Sequence, residues 1–168
     1  MNVTYINPFI VATRNLFKTM ISAPLSLGQP FLRQRAMPQV RVQAVIGLSG
    51  HVSGIVALSF PEPVALALAS SLSGEKTSFI NDGCMDALGE IANMICGGAK
   101  KDFPGADAAE KLVQLSVPQV VKAPGAATFP NELPVLVILC DTSAGRFFIE
   151  VALHQPKAQA PAAAVVAA

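Results

Sequence analysis

Twice along this chain, apolar residues alternate with polar or small ones over the length of a strand. Val40, Val42, Ala44, Ile46 and Leu48 share one face of the first run, and Phe147, Ile149, Val151 and Leu153 share one face of the last. A period of two sends successive side chains to opposite faces, so each run predicts a strand with one side against a core. A second strand follows the first from about Gly54 to Phe60, and the intervening SGHVSG reads as a hairpin connection. Towards the other end, strands are predicted over 112–121, 135–140 and 146–154. VLVILC is apolar throughout, as a strand covered on both faces is.

Helical signals fall between these runs. Asn7 and Pro8 read as an N-cap and a first helical position, after which Phe9, Ala12, Leu16 and Met20 recur at helical spacing to about Ser22. Pro24, Gly28 and Pro30 then predict a loop. Ser59 and Glu62 have capping-box spacing ahead of a helix over 64–72 that Gly74 ends, and Asn81 is placed to cap a longer helix over 82–102.

Helix–strand–strand thus occurs twice, with a third helix between the sets. This predicts an α+β fold, an antiparallel or mixed sheet with long helices packed on it and a pseudo-twofold relation between halves. The two leading helices align as ATRNLFKTM against EIANMICGG, which sets Asn15 opposite Asn93 and Ala12 where Glu90 stands. The domain is expected over 1–154. Residues 155–168, ending PKAQAPAAAVVAA, are low in complexity and are expected to lie outside the core.

Composition narrows the function. At 52% hydrophobic and 14% charged, 168 residues are enough for one domain with a sizeable core. A formal net charge of +1, no Trp and one Tyr provide neither the field nor the stacking platform of a nucleic-acid binder. The odd number of cysteines (Cys84, Cys96, Cys140), with no C-x-x-C pair, suits reduced thiols in a cytoplasmic protein. Arg14 and Lys18 interrupt the apolar N-terminal stretch, so neither a signal peptide nor a membrane span is expected.

One stretch asks for a function. In GEIANMICGGAKK, residues 89–101, Glu90 and Asn93 stand three apart on the long helix. At 100° per residue, Leu88, Ala92, Ile95 and Ala99 form the core side, while Asp86, Glu90, Asn93, Gly97 and Lys101 share an opposite arc, with Met94 beside it. An ordinary solvated face would carry long polar side chains where this arc has an exposed methionine and a glycine. Mid-helix glycine costs about 1 kcal/mol relative to alanine, so Gly97 and Gly98 imply a close approach by something. Other motifs are weaker. Ser49 lacks the glycine two residues on that a nucleophile elbow needs, His51 and His154 have no third partner at metal-ligand spacing, and GGAKKD lacks the P-loop pattern.

Asp86-x-x-x-Glu90-x-x-Asn93, with Pro118 following, resembles the signature of the CheC/CheX phosphatases of bacterial chemotaxis. NPFIVATRNLFKTM, VIGLSGHVSGIVALSFPEPVALALAS and GRFFIEVAL are similar to the same family, so that the resemblance covers the chain to about residue 154. The interval from Asn93 to Pro118 is a few residues longer than the family's, and the excess is assigned to the FPGADAAE loop. CheC-type members carry the Glu–Asn pair on two helices and CheX-type members on one; Ala12 points to the CheX branch.

The resemblance implies hydrolysis of the phosphoaspartate of a CheY-type response regulator. Glu90 would pair with the regulator's lysine and Asn93 would hold the attacking water, with Asp86, Met94, Gly97, Lys101 and Pro118 as partner contacts. It further implies that no metal or cofactor is held by this chain, the magnesium belonging to the regulator. A homodimer is expected from the family and from strands such as 146–154 that would leave edges to protect. The alternative is a binding module of the same fold that docks a response regulator or flagellar-switch component without catalysis.

Overall fold

The computed structural model describes residues 3–21, 23–33, 40–106, 112–122, 129–130 and 132–154. The tail over 155–168 and the second half of the FPGADAAE loop, residues 107–110, lie outside the described residues. In chain order the elements are α1 (Asn7–Leu16), β1 (Leu25–Leu27), β2 (Phe31–Leu32), β3 (Val42–Gly50), β4 (Ser53–Phe60), α2 (Glu62–Ser73), α3 (Asp82–Lys101), β5 (Val113–Leu115), β6 (Gln119–Lys122), β7 (Leu136–Thr142) and β8 (Gly145–His154).

All the strands join one antiparallel sheet in the order β1-β7-β8-β4-β3-β5, with β2 also on β7 and β6 also on β3. The repeat is therefore fuller than helix–strand–strand. Each half contributes a helix, two short strands and a long hairpin: α1, β1, β2 and β3–β4, then α3, β5, β6 and β7–β8. The short strands of each half flank the hairpin of the other, and β4 meets β8 at the centre, from Ser53↔His154 to Ser59↔Phe148. This is the expected pseudo-twofold α+β arrangement.

The strand at 146–154 is consequently no edge. It lies between β7 and β4, and the outer strands are the short ones. Nor is 24–30 only a loop, since Leu25–Leu27 pairs with Cys140–Thr142 and Phe31–Leu32 with Leu136–Val137. The single strand expected over 112–121 is two, β5 and β6, parted at Ser116–Pro118.

Alternation dictates which face is buried. Val42, Ala44, Ile46 and Leu48 pack with Phe147, Ile149, Val151 and Leu153 beneath the helices, whereas Val40 precedes its strand. Phe147 stacks between Phe17 and Phe60, with ring centroids 5.9 and 5.3 Å away. The other face carries a smaller apolar cluster of Ala57, Phe129 and Ala152, so β7 is covered on both sides where Val137 and Ile138 point oppositely and are fully buried.

Two helix starts differ from expectation. Ile6, not Asn7, occupies the cap position of α1, because a 3-10 turn over Val3–Tyr5 already carries the chain into helical geometry. Ser59 does not cap α2; Pro61 does so without a side-chain bond, and Ser59 is buried in β4. At its other end α1 runs into a π-helical turn over Phe17–Ile21. The wider turn advances the buried face to Phe17 and Ile21 and turns Met20 outward to 54% exposure, where regular spacing had placed it in the core. Gly74 ends α2 with φ of 73°, as expected.

Cys84, Cys96 and Cys140 are unpaired and buried. Burial pushes the Cys96 thiol up to about 12 and, with help from Asp141, raises the Cys140 thiol further; it also raises the Cys84 thiol, against the opposing charge of Lys122. All three should resist a thiol reagent at pH 8 until the chain is unfolded. Because the folded-state values lie above the ordinary 9.0, the unfolded chain ionises first as pH rises. The thiols' contribution to stability should therefore be level below about pH 9 and decline from there towards pH 12, which urea melts of wild type and a Cys96→Ala variant across pH 8–12 would compare. No helix among the described residues is long and apolar enough to cross a membrane.

Candidate active site

Asn81 starts α3 as expected: its Oδ1 accepts a hydrogen bond from the Cys84 N–H at 2.8 Å. Asp82 in the first turn and Lys100 and Lys101 in the last complement the helix dipole. Leu88, Ile91, Ala92, Ile95 and Ala99 are fully buried on the sheet side, which fixes the rotation of the helix and presents the polar arc outward.

Two glycines set what lies on either side of that arc. A Cβ on Gly98 would come within 2.9 Å of the Ala12 Cβ, so Gly98 is where α1 and α3 touch. A Cβ on Gly89 would lie 3.2 Å from Val120 Cγ2 and 3.5 Å from Pro118 Cβ, so Gly89 is where the β5–β6 segment leans on the helix. Counting about 100° per residue from Gly89, Asn93 lies at about 40°, Asp86 at about 60°, Glu90 at about 100° and Gly98 at about 180°. The arc is an open strip of α3 between α1 and Pro118.

Glu90 and Asp86 are exposed and Asn93 is partly exposed. Among the described residues neither the Glu90 carboxylate nor the Asn93 carboxamide has a hydrogen-bond or ion-pair partner. With a rise of 1.5 Å per residue, Asp86, Glu90 and Asn93 span only about 10 Å of the helix. Gly97 continues the strip with nothing within 4 Å of its would-be Cβ, so there the helix backbone itself is open to approach. Lys101 is exposed on the same strip but about 16 Å along the axis from Glu90, outside the pair's immediate reach.

Three details depart from the sequence reading. Met94 is not a free surface methionine, since it is partly buried against the core. Gly98 is explained by α1 and not by a visiting partner. Ala12 is 8% exposed in the α1–α3 seam, so it is not a surface position that has lost a glutamate, although Asn15 is exposed. Sequence reasoning also missed Gly89, whose only signal was a further glycine on a helix that also holds Gly83, Gly97 and Gly98.

The family model described as chemotaxis phosphatase CheX matches residues 42–141, more than half of the chain. No curated protein matches. The crystal structure of chemotaxis protein CheX from Vibrio vulnificus is 27% identical, with 89% of this chain and 99% of that one covered and a TM-score of 0.79. A chemotactic CheC-like protein from Shewanella oneidensis is 29% identical, covering 92% of this chain and 100% of that chain at a TM-score of 0.79. The CheX–CheY–BeF3–Mg2+ complex from Borrelia burgdorferi shares the fold at 19% identity, with 92% and 100% covered and a TM-score of 0.78. With its duplicated sheet, its exposed strip on α3 and a family match running from the start of β3 into β7, the chain belongs to the CheX family of chemotaxis phosphatases.

Proposed function

We propose that this protein hydrolyses the phosphoaspartate of a CheY-type response regulator, with Glu90 and Asn93 as its working pair. The observation that carries the reading is the open strip of α3, on which these two side chains stand one turn apart and without partners among the described residues. A carboxylate and a carboxamide held this way on a rigid helix are available to groups that a partner brings.

The Glu90 carboxylate suits a charge-assisted bond to the regulator's lysine ammonium. That bond sets the register of α3 over the phosphorylated aspartate. Asn93 does not titrate, and its carboxamide orients a water in line with phosphorus, as a glutamine does in small GTPases. The water oxygen bonds to phosphorus while the bond from phosphorus to the aspartyl oxygen breaks. The products are the free aspartate carboxylate and inorganic phosphate, the water's proton passing to solvent or phosphate. Because an acyl phosphate is already reactive, positioning accounts for the acceleration with no strong base. Magnesium, in this reading, is held by the regulator, and the Borrelia neighbour is a CheX–CheY complex with BeF3 and Mg2+.

Asp86 and Pro118 border the pair and, with Gly97, Met94 and Lys101, make up the contact surface. The reaction belongs in the cytoplasm with its regulator. Candidate regulators phosphorylated on aspartate should release phosphate faster when this protein is added. A stable complex without faster release would favour the docking module instead.

We also infer a homodimer that pairs the outer short strands, since β8 is internal and only β1, β2, β5 and β6 leave sheet edges open among the described residues. Light scattering should give twice the mass of one chain at micromolar concentration; a monomer there would count against it.

A further inference from the structure

We infer that Gly97 is a positioning residue of this site, the bare floor of a notch on α3 into which the regulator's surface beside its phosphorylated aspartate descends; the inference rests on the phosphatase reading above. Glycine is the poorest helix former after proline, so a glycine inside a helix asks for a local cause. Gly98 has one in Ala12 of α1, and Gly89 has one in Val120 and Pro118. Gly83 stands in the first turn, where the helix interior has not begun. Gly97 is four residues short of the last residue of α3, Lys101, and nothing lies within 4 Å of its would-be Cβ. No packing among the described residues accounts for it.

Its neighbours keep the space clear. Lys100 and Met94, each three residues away, stand about 60° to either side of Gly97 on the helix. Lys100 Nζ turns aside and donates to the Val113 carbonyl of β5 at 3.4 Å, and Met94 packs against the core. The two long side chains that could have lain over the glycine are both engaged elsewhere. What remains is a stretch of open helix backbone between Asn93 and Lys101.

The notch lies where the catalytic pair needs it. Gly97 is one turn beyond Asn93, about 40° around the helix and about 6 Å along its axis. Asn93 carries its carboxamide on a single methylene, so a water that it holds stays close to the helix. The phosphoryl group must come down to that water, and the regulator's surface around the phosphoryl group comes down with it over the next turn of α3. A side chain at position 97 would meet that surface and hold phosphorus away from the water. Gly97 thus sets the depth of docking, giving up helix stability for access to the site.

The test compares wild type, Gly97→Ala and Gly97→Leu in three measurements. These are the melting temperature, equilibrium binding to a CheY-type regulator loaded with BeF3 and Mg2+, and hydrolysis of the phosphorylated regulator. Both replacements put a better helix former into open space, so both variants should melt about 2–4 °C above wild type. Both should nevertheless bind the loaded regulator more weakly, about tenfold for alanine and further for leucine, the scale of forcing extra carbon atoms into a packed contact. Hydrolysis at saturating regulator should fall with them, because the lifted helix takes Asn93 out of register. A merely structural glycine could not give higher stability and lower affinity together. A Gly97→Ala variant that binds the regulator as wild type does, or that melts below wild type, would overturn this inference and leave the phosphatase reading standing. A wild type that neither binds nor hydrolyses any such regulator would overturn both.

Discussion

Asn93→Ala is expected to fold, to bind the phosphorylated regulator, and to lose almost all accelerated hydrolysis. Asn93 has no partner among the described residues and sits on an open strip of α3, so its truncation should alter stability by no more than about 0.5 kcal/mol. Its proposed work exists only when water and phosphorus are both present, which puts the loss in the hydrolytic step. Removing one well-placed hydrogen-bonding group from a reaction of this kind costs about 10²–10³ in kcat. Asn93→Asp keeps the size but adds a negative charge facing the phosphoryl oxygens, and should do no better than alanine. Glu90→Ala should differ in kind. It removes one side of a cross-interface ion pair, weakening binding by about 2 kcal/mol or more, with catalysis falling partly through lost register. Equilibrium binding and single-turnover hydrolysis of the three variants separate these effects. Full activity in Asn93→Ala would sink the mechanism, and silence in both alanine variants would return the strip to an ordinary solvated helix face.

The arc that carries these residues was readable because α3 obeys local rules throughout. Its cap, its dipole-matched ends and its 3.6-residue apolar stripe agree, and the buried stripe leaves only one possible outer face. The long hairpins were readable for the same reason, each strand's alternation deciding its own burial. What escaped was structure that tertiary partners impose. β1 and β2 are three and two residues long, and their extended form comes from pairing with β7, not from any pattern of their own. The π-helical turn after α1 shifts a spacing that looked regular from Phe9 to Met20. Ser59 and Glu62 have the distance of a capping box, yet Glu62 pairs with Arg41 at 3.5 Å and Ser59 belongs to a strand. Glycines were ambiguous in a similar way. Gly89, Gly97 and Gly98 look alike in sequence, but one admits a strand segment, one leaves the helix open and one admits α1.

Ser59 leads to the second large effect, which lies on the sheet face away from α3. Between Ile149 and Val151, which point to the helices, Glu150 points the other way and is 3% exposed. Its Oε2 accepts from the Ser59 hydroxyl at 2.8 Å, and Ser59 accepts in turn from the Gln43 amide at 2.7 Å. Its Oε1 stands 3.2 Å from Arg33 Nε without hydrogen-bond geometry, and the Arg33 guanidinium lies over the Phe129 ring at 5.3 Å. The cluster ties β3, β4 and β8 to the segment after β2. Glu150→Ala would leave the arginine and the Ser59 hydroxyl without their acceptor in a dry setting, a loss of about 3–5 kcal/mol. Glu150→Gln keeps the shape and an accepting oxygen, and Glu150→Met fills the space without an uncompensated charge of its own; both should cost less than alanine. Urea midpoints for the three variants give the order. Hydrolysis per folded molecule should stay at the wild-type rate in each, because the sheet separates Glu150 from the strip on α3. An alanine variant as stable as wild type would mean the cluster's Coulomb attraction merely offsets its desolvation. A fall in specific activity at full folding would mean that the two faces of the sheet are coupled.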